Sequence, residues 1–187
     1  EFTVKITPKQ IDGKDWFAYY AKDGKVVLEG NNGVSVASAL NSYLKTHCGW
    51  HLTWCGSQEV LPEVLPLPNK RYEATSPYKY RYYLNYCTFN YSMSWWDFER
   101  WQKEIDFMAL NGINMPLALT GQNSVWQRVY RRLGFTDEQL EGFFSGPAYF
   151  NWFWMGNLDG WGGFLPQSFM KDHAELQKNI LQAERSL

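Results

Sequence analysis

At 187 residues and a formal net charge of −1, the chain is long enough for one sizeable core or two small ones, and it carries no electrostatic footprint for nucleic acid or an anionic membrane. The mean hydropathy of −0.45 and the shortness of every apolar run exclude a helical membrane span from the expectation. The unusual figure is 18% aromatic residues, ten of them Trp, so many of the rings are either structural or platforms for the C–H faces of sugars.

The opening "FTVKI" reads as a strand rather than as a signal peptide. "DWFAYYAKDGKVVLEG" reads as a hairpin, with Asp23 and Gly24 supplying the positive φ values of a type I′ turn. In "NNGVSVASALNSYLKTHCG" a helix is expected, with Asn31 or Asn32 as cap, Val36, Leu40, Tyr43 and Leu44 on one face, and Gly49 in the left-handed position after its end. "WHLTW" resumes as a strand. Residues 1–76 therefore read as a small α/β domain, structural or docking in role, since nothing in it gathers catalytic side chains.

Pro62, Pro66, Pro68 and Pro77 bias their neighbours toward extended backbone and mark a connection, with the domain boundary near residue 77. In residues 77–187, Arg81 to Phe89 reads as a buried strand. A helix follows, with Ser94 and Asp97 in a capping-box pattern and an apolar stripe of Phe98, Trp101, Ile105, Met108 and Ala109. Asn111-Gly112 stops it, and "INMPLALT" reads as a second strand despite Pro116, which a bulge would have to accommodate. Two apolar runs joined by an amphipathic helix make a βαβ unit, which sets Thr88 to Tyr91 and Thr120 to Asn123 at one edge.

A further helix over "NSVWQRVYRRLG" is expected to bury Val125, Trp126, Val129, Tyr130 and Leu133. The next is marked by a capping box of Thr136 and Gln139 with Phe135 and Leu140 as staple. "SGPAYFNWFWMGNLDGWGGFLPQ" reads as a long loop, too rich in large rings to be disordered and therefore functional. A last helix from Ser168 carries Phe169, His173, Leu176, Ile180 and Ala183 to one side and runs to the final residue, so the alternation of strands and helices is expected to continue beyond it.

The chemistry visible in this pattern is incomplete. Glycoside hydrolysis uses two carboxylates flanking the scissile bond. Asp97 is better explained by capping, Glu99 and Glu104 by a solvated helix face, and Asp106 is equally a buried contact or a surface group. Only Asp159 stands near a plausible site, and it stands alone. Cys48, Cys55 and Cys87 lack metal-ligand spacing. An extended "CGWHLTWC" would hold its ends about 20 Å apart, so that pair joins only if the run folds back. His47, His51 and His173 form no metal motif. No nucleophile elbow or phosphate-binding glycine loop appears.

The stretch from "YYLNYCTFNYSMSWWDFERWQKEIDFMALNGINMPLALTGQNSVWQRVY" to "GFFSGPAYFNWFWMGNLDGWGGFLPQSF" resembles the α-N-acetylglucosaminidases, glycoside hydrolase family 89, with "NGIN", "WQRVY", "GPA" and "MGN" in that family's order. "GNNGVSVASALNSYL" is similar to the small α/β domain that precedes the family's barrel. The resemblance implies an α/β chain in which the small N-terminal domain leads into the first part of a (β/α)8 TIM-type barrel, two of whose strands lie in residues 77–187. A site is then expected at the C-terminal ends of the strands.

The resemblance further implies that Asn85, Cys87 and Tyr91, in an N-x-C-x-x-x-Y pattern, and Trp152 and Met155 of the "GPA" loop contact a terminal N-acetylglucosamine. Gln122 and Asn123 follow the second strand, where the family commonly has Glu at the second position. Both catalytic glutamates of the family come from later strands, so none is expected in this chain and both are expected C-terminal to Leu187. The implied whole is a retaining exo-enzyme without metal or organic cofactor. It would be secreted, periplasmic or lysosomal, act on glycans or glycosaminoglycans such as heparan sulfate, and need the remainder of the barrel as partner. The alternatives from the residues alone are a sugar-binding module without hydrolytic activity and a structural domain with a tryptophan-rich core.

Overall fold

A computed structural model describes residues 1–8, 11–158 and 161–187, which divide into two compact units. The first comprises Glu1–Tyr82, Lys103–Met115 and Ser186–Leu187. Its four-stranded sheet has the order β1 (Phe2–Ile6), β3 (Lys25–Gly30), β2 (Trp16–Lys22), β6 (Tyr72–Thr75). Strand β1 pairs parallel with β3, and the other neighbours pair antiparallel. Asp23 and Gly24 have φ of 50° and 73°, the backbone a type I′ hairpin turn demands between β2 and β3.

Helix α1 (Gly33–Cys48) covers this sheet. Asn32 is its cap, accepting from the Ser35 N–H at 2.8 Å, and Gly49 takes the left-handed position at φ 66°. Tyr19, Val26, Leu28, Ala39, Tyr43 and Leu44 form the core, with Val36 and Leu40 packed against it. The Tyr43 hydroxyl donates to the Pro66 carbonyl at 2.8 Å, so even the polar end of this ring is satisfied. Strands β4 (His51–Thr53) and β5 (Gly56–Gln58) make a small hairpin, so the run between Cys48 and Cys55 does fold back, yet all three cysteines are free thiols.

Glu29 on β3 is buried and receives Lys5 at 2.7 Å, Arg71 at 3.0 Å and the Thr7 hydroxyl at 2.7 Å. Burial pushes its carboxyl upward, and these donors more than reverse that, leaving it at about 2. Of two carboxylates on α3 (Phe98–Leu110), one departs from expectation and the other falls on one of its two expected alternatives. Glu104 is buried and accepts from the Trp54 indole N–H at 3.1 Å, so it is no member of a solvated face. Asp106 is exposed.

The second unit comprises Tyr83–Gln102 and Pro116–Arg185. The two apolar runs are strands only briefly, as β7 (Tyr82–Tyr83) and β8 (Met115–Pro116). The Arg81 carbonyl accepts from the Asn114 N–H and the Tyr83 carbonyl from the Leu117 N–H, so the pairing is parallel. Between these bonds Tyr82 on one side faces Met115 and Pro116 on the other, and Pro116 falls inside that bulge, where no ladder donor is needed. Arg81 to Phe89 is thus not one strand: Leu84 turns to φ 77°, and Tyr86–Thr88 (α2) runs into a π-helical turn, Phe89–Met93.

The cap of α3 is Asp97 itself, which accepts from the Arg100 N–H at 2.9 Å, while the Ser94 hydroxyl bonds back to the Asn90 carbonyl. Trp101, Ile105, Met108 and Ala109 of the expected stripe are buried, but Phe98 is exposed.

Helix α4 (Gln122–Arg132) reverses the expected pattern. Val125, Trp126, Val129 and Leu133 are exposed, and the polar Asn123 and Gln127 are the buried positions. At its start Gly121, at φ 82°, lies close against α7 (Gln167–Arg185): a Cβ there would stand 2.9 Å from the His173 carbonyl. The inward side carries amides, and Gln127 Nε2 donates to Gln167 Oε1 of α7 at 2.8 Å. Helix α7 stops at Arg185 rather than at the final residue, and it buries Met170 and Ile180 most deeply. Helix α5 (Asp137–Leu140) has the expected capping box on Thr136 and Gln139. The aromatic segment is not all loop, because Phe150–Trp154 forms the short helix α6.

Candidate functional site

Strand β7 ends in a strained corner. A buried leucine at positive φ costs about 1–2 kcal/mol relative to ordinary backbone, and Leu84 holds that conformation immediately before Asn85. The corner turns the chain out of the strand and into α2. Asn85 caps this helix, its side-chain oxygen accepting from the Thr88 N–H at 2.8 Å. One end of its amide is therefore already engaged, whereas the amide nitrogen makes no hydrogen bond among the described residues and is left as a donor at an exposed position.

Cys87, Asn90 and Tyr91 lie three and four residues apart and share the helix face that meets α6. The Cys87 Sγ is 3.9 Å from the Met155 Sδ. The Tyr91 and Trp152 rings meet edge to face, with centroids 5.6 Å apart and planes at 83°. Four of the five residues expected from the sequence are thus brought together in two pairs, and Asn85 stands at the start of the same helix. Tyr91 is 79% exposed and Met155 39%, with Trp152 half-buried between them, so the assembled surface is open on one side.

The residues of α6 divide between two neighbourhoods. Phe150 is buried and meets Phe89 edge to face at 5.6 Å, anchoring the helix in the core. Phe153 and Trp154 turn the other way, toward Phe143 at 5.0 Å and Trp126 at 4.8 Å respectively. Trp152 and Met155, three residues apart, are left to face α2 and the π-helical turn. Between these faces sits Asn151, completely buried, with neither end of its side-chain amide hydrogen-bonded.

Several ionisable groups in this unit are engaged in structure. Asp97 caps α3, Asp137 pairs with Arg131 at 2.6 Å, and Glu175 with Lys178 at 3.3 Å. His173 sits between the carbonyls of Phe169, 3.0 Å from Nδ1, and Ser94, 3.1 Å from Nε2, and burial pushes its pKa below the ordinary value. Asp159 lies outside the described residues. Among the described residues no group of three or more His, Cys, Asp or Glu is arranged to hold a metal ion, and no helix is long and apolar enough to cross a membrane.

Sequence reasoning had no signal for Glu104 or Asn151, whose burial depends on elements far along the chain. Asn90 was within reach: read as a helix, the segment places it beside Cys87 and Tyr91.

Residues 81–187 match the family model described as the alpha-N-acetylglucosaminidase (NAGLU) tim-barrel domain, and residues 1–67 match that of its N-terminal domain. The human alpha-N-acetylglucosaminidase is 49% identical over 163 residues, which are 87% of this chain and 22% of that protein. Among solved structures, the family 89 glycoside hydrolase from Clostridium perfringens matches over 100% of this chain and 21% of its own, at 40% identity and a TM-score of 0.94. That enzyme was captured with its substrate GlcNAc-alpha-1,4-galactose, in a variant with two glutamates replaced by glutamine, and separately with PUGNAc. This chain spans about a fifth of the length of these relatives. The strained exit from the first strand, the parallel pairing with the second and the matches to both domains lead to one conclusion: the chain belongs to the alpha-N-acetylglucosaminidase family, glycoside hydrolase family 89.

Proposed function

We propose that this chain supplies one wall of the sugar pocket of an exo-acting alpha-N-acetylglucosaminidase. On this reading, residues 1–76 form the small α/β domain and 77–187 begin the catalytic barrel. Asn85, Cys87, Tyr91, Trp152 and Met155 contact the terminal N-acetylglucosamine. The observation that carries the proposal is the convergence of Cys87 with Met155 and of Tyr91 with Trp152 beside the end of β7.

Each side chain has a role that its chemistry permits. The Trp152 ring offers a flat apolar face to sugar C–H groups, and Tyr91 buttresses it edge-on. The free amide N–H of Asn85 donates to a hydroxyl or to the acetamido carbonyl. Cys87 and Met155 make a soft, polarizable wall suited to a methyl group. Binding of this kind orients the ring, and bond cleavage falls to two carboxylates about 5–5.5 Å apart, one the nucleophile and the other acid and then base. We place both carboxylates in the remainder of the barrel, beyond Leu187. The substrates are terminal α-linked N-acetylglucosaminides of glycans or glycosaminoglycans, heparan sulfate among them. The location is secreted, periplasmic or lysosomal.

The test is hydrolysis of a chromogenic α-N-acetylglucosaminide, with the β-anomer as control, by the full-length protein and by the 187-residue chain alone. The expected result is turnover of the α-anomer by the full-length protein only. Turnover by the 187 residues alone would place the carboxylate pair within them. Binding without turnover by the full-length protein would favour a sugar-binding module.

A further inference from the structure

We propose that Asn90 is a positioning residue of the same pocket, clamping the segment that bears Trp152 and Met155 onto the segment that bears Cys87 and Tyr91. The inference rests on the functional reading above and adds to it a residue that the N-x-C-x-x-x-Y pattern passes over.

The amide of Asn90 is used at both ends. Its Nδ2 donates to the Ala148 carbonyl at 2.7 Å, and its Oδ1 accepts from the Asn151 N–H at 2.7 Å. Both bonds reach across about sixty residues of sequence to a four-residue stretch that ends one position before Trp152. They meet a local need. The first N–H groups of any helix lack intrahelical partners. Helix α6 has Tyr149 at its cap position, and Tyr149 makes no side-chain cap bond. Asn90 supplies that cap from outside the helix, holding Asn151 on one side of the turn and Ala148 on the other.

The π-helical turn Phe89–Met93 that carries Asn90 adds a second anchor, since Phe89 packs on Phe150 at 5.6 Å. Within the turn, Asn90 is further tied to Ser94, whose hydroxyl donates to the Asn90 carbonyl at 3.3 Å. The clamp thus fixes the backbone on both sides of Phe150. Trp152 and Met155 project from the next turn toward Tyr91 and Cys87. Loss of the clamp lets this helix pivot, and small misplacements of positioning groups are enough to weaken binding severely.

The experiment is steady-state kinetics with a chromogenic α-N-acetylglucosaminide on four variants of the full-length protein. Asn90→Ala is expected to raise KM about 10-fold, with a smaller change in kcat. Thr136→Ala removes the cap of α5 in the same unit and is expected to lower the melting temperature comparably while leaving KM unchanged. Asn90→Asp supplies a readout that a purely structural role would not give. Ionised, it repels the Ala148 carbonyl; protonated, it restores one donor and one acceptor. Its KM, measured relative to the unsubstituted protein at each pH, is therefore expected to fall as pH drops through the carboxyl pKa, about 4. Trp152→Ala is the benchmark for the pocket itself.

A rise in KM for Asn90→Ala that Thr136→Ala does not share, together with acid rescue of Asn90→Asp, would bear the proposal out. An unchanged KM in Asn90→Ala while Trp152→Ala raises it would overturn the clamp and leave the pocket reading standing. If Asn90→Ala does not fold, absence of acid rescue in Asn90→Asp overturns the clamp on its own. An unchanged KM in Trp152→Ala would instead overturn the pocket reading and the clamp with it.

Discussion

The two aromatic regions of this molecule use their rings in opposite ways. Around α1, the rings of Tyr19, Tyr43, His47 and Tyr72 form a closed set: Tyr19 stacks on Tyr72 at 4.9 Å, His47 on Tyr43 at 5.3 Å, and the Tyr43 hydroxyl bonds to a carbonyl. Around α6, Tyr91 and Met155 stand open, Trp152 is half-buried, and Asn151 keeps both ends of a buried amide unpaired. Both regions draw on the same excess of aromatic residues, so composition does not tell them apart. What does is exposure: Tyr19 and Tyr43 are buried among their neighbours, although His47 Nε2 in that set is itself buried without a partner, whereas Tyr91 and Met155 present open faces.

Several substitutions would break or sharpen this contrast. The largest effect is expected for Tyr43→Ala, which empties a fully buried ring site and should cost about 4 kcal/mol of stability in denaturant unfolding. Binding of an N-acetylglucosaminide should be unaffected at temperatures where the variant is folded. A selective loss of binding would show that the N-terminal core serves recognition as well.

Glu29→Gln comes next. The native carboxyl is held at about 2 against an ordinary value of 4.5, so the charged form is the one that folding favours. Its contribution is therefore fully present above about 4.5 and lost as pH falls through about 2. Lys5 and Arg71 are themselves about half exposed, which reduces the gain, so the variant should be less stable by about 2 kcal/mol at neutral pH. The gap from the unsubstituted protein should close progressively below pH 4.5. A gap independent of pH would mean that shape rather than charge is what the site requires. The smallest effect, about 1 kcal/mol, is expected for Thr136→Ala, read as a lowered denaturant midpoint, because only one cap of a four-residue helix is lost.

Local chemistry made much of the first unit legible. The Asp23-Gly24 turn, the Asn32 cap and the Gly49 stop each depend on a few adjacent residues, and each is found where it was expected. The same holds for the capping box at Thr136. The misreadings share one cause. Arg81 to Phe89 has the composition of a strand, but Leu84 is forced to positive φ and the chain turns into helix instead. Helix α4 has a clear apolar side, but Val125, Val129 and Leu133 stand exposed while Asn123 and Gln127 are buried, Gln127 bonded to Gln167 on α7.

The candidate site follows the same division. By itself, the sequence determined which residue types were available, the spacing of Asn85, Cys87 and Tyr91, and the family to which they belong, because these are properties of adjacent positions and of motif order. Only the tertiary structure decided that Cys87 meets Met155, that Tyr91 braces Trp152, and that the amide of Asn90 holds their two segments together. Those contacts join residues about sixty positions apart. Their formation depends on burial and on the hydrogen-bond needs of a short helix that lacks its own cap, and no local pattern encodes either of these.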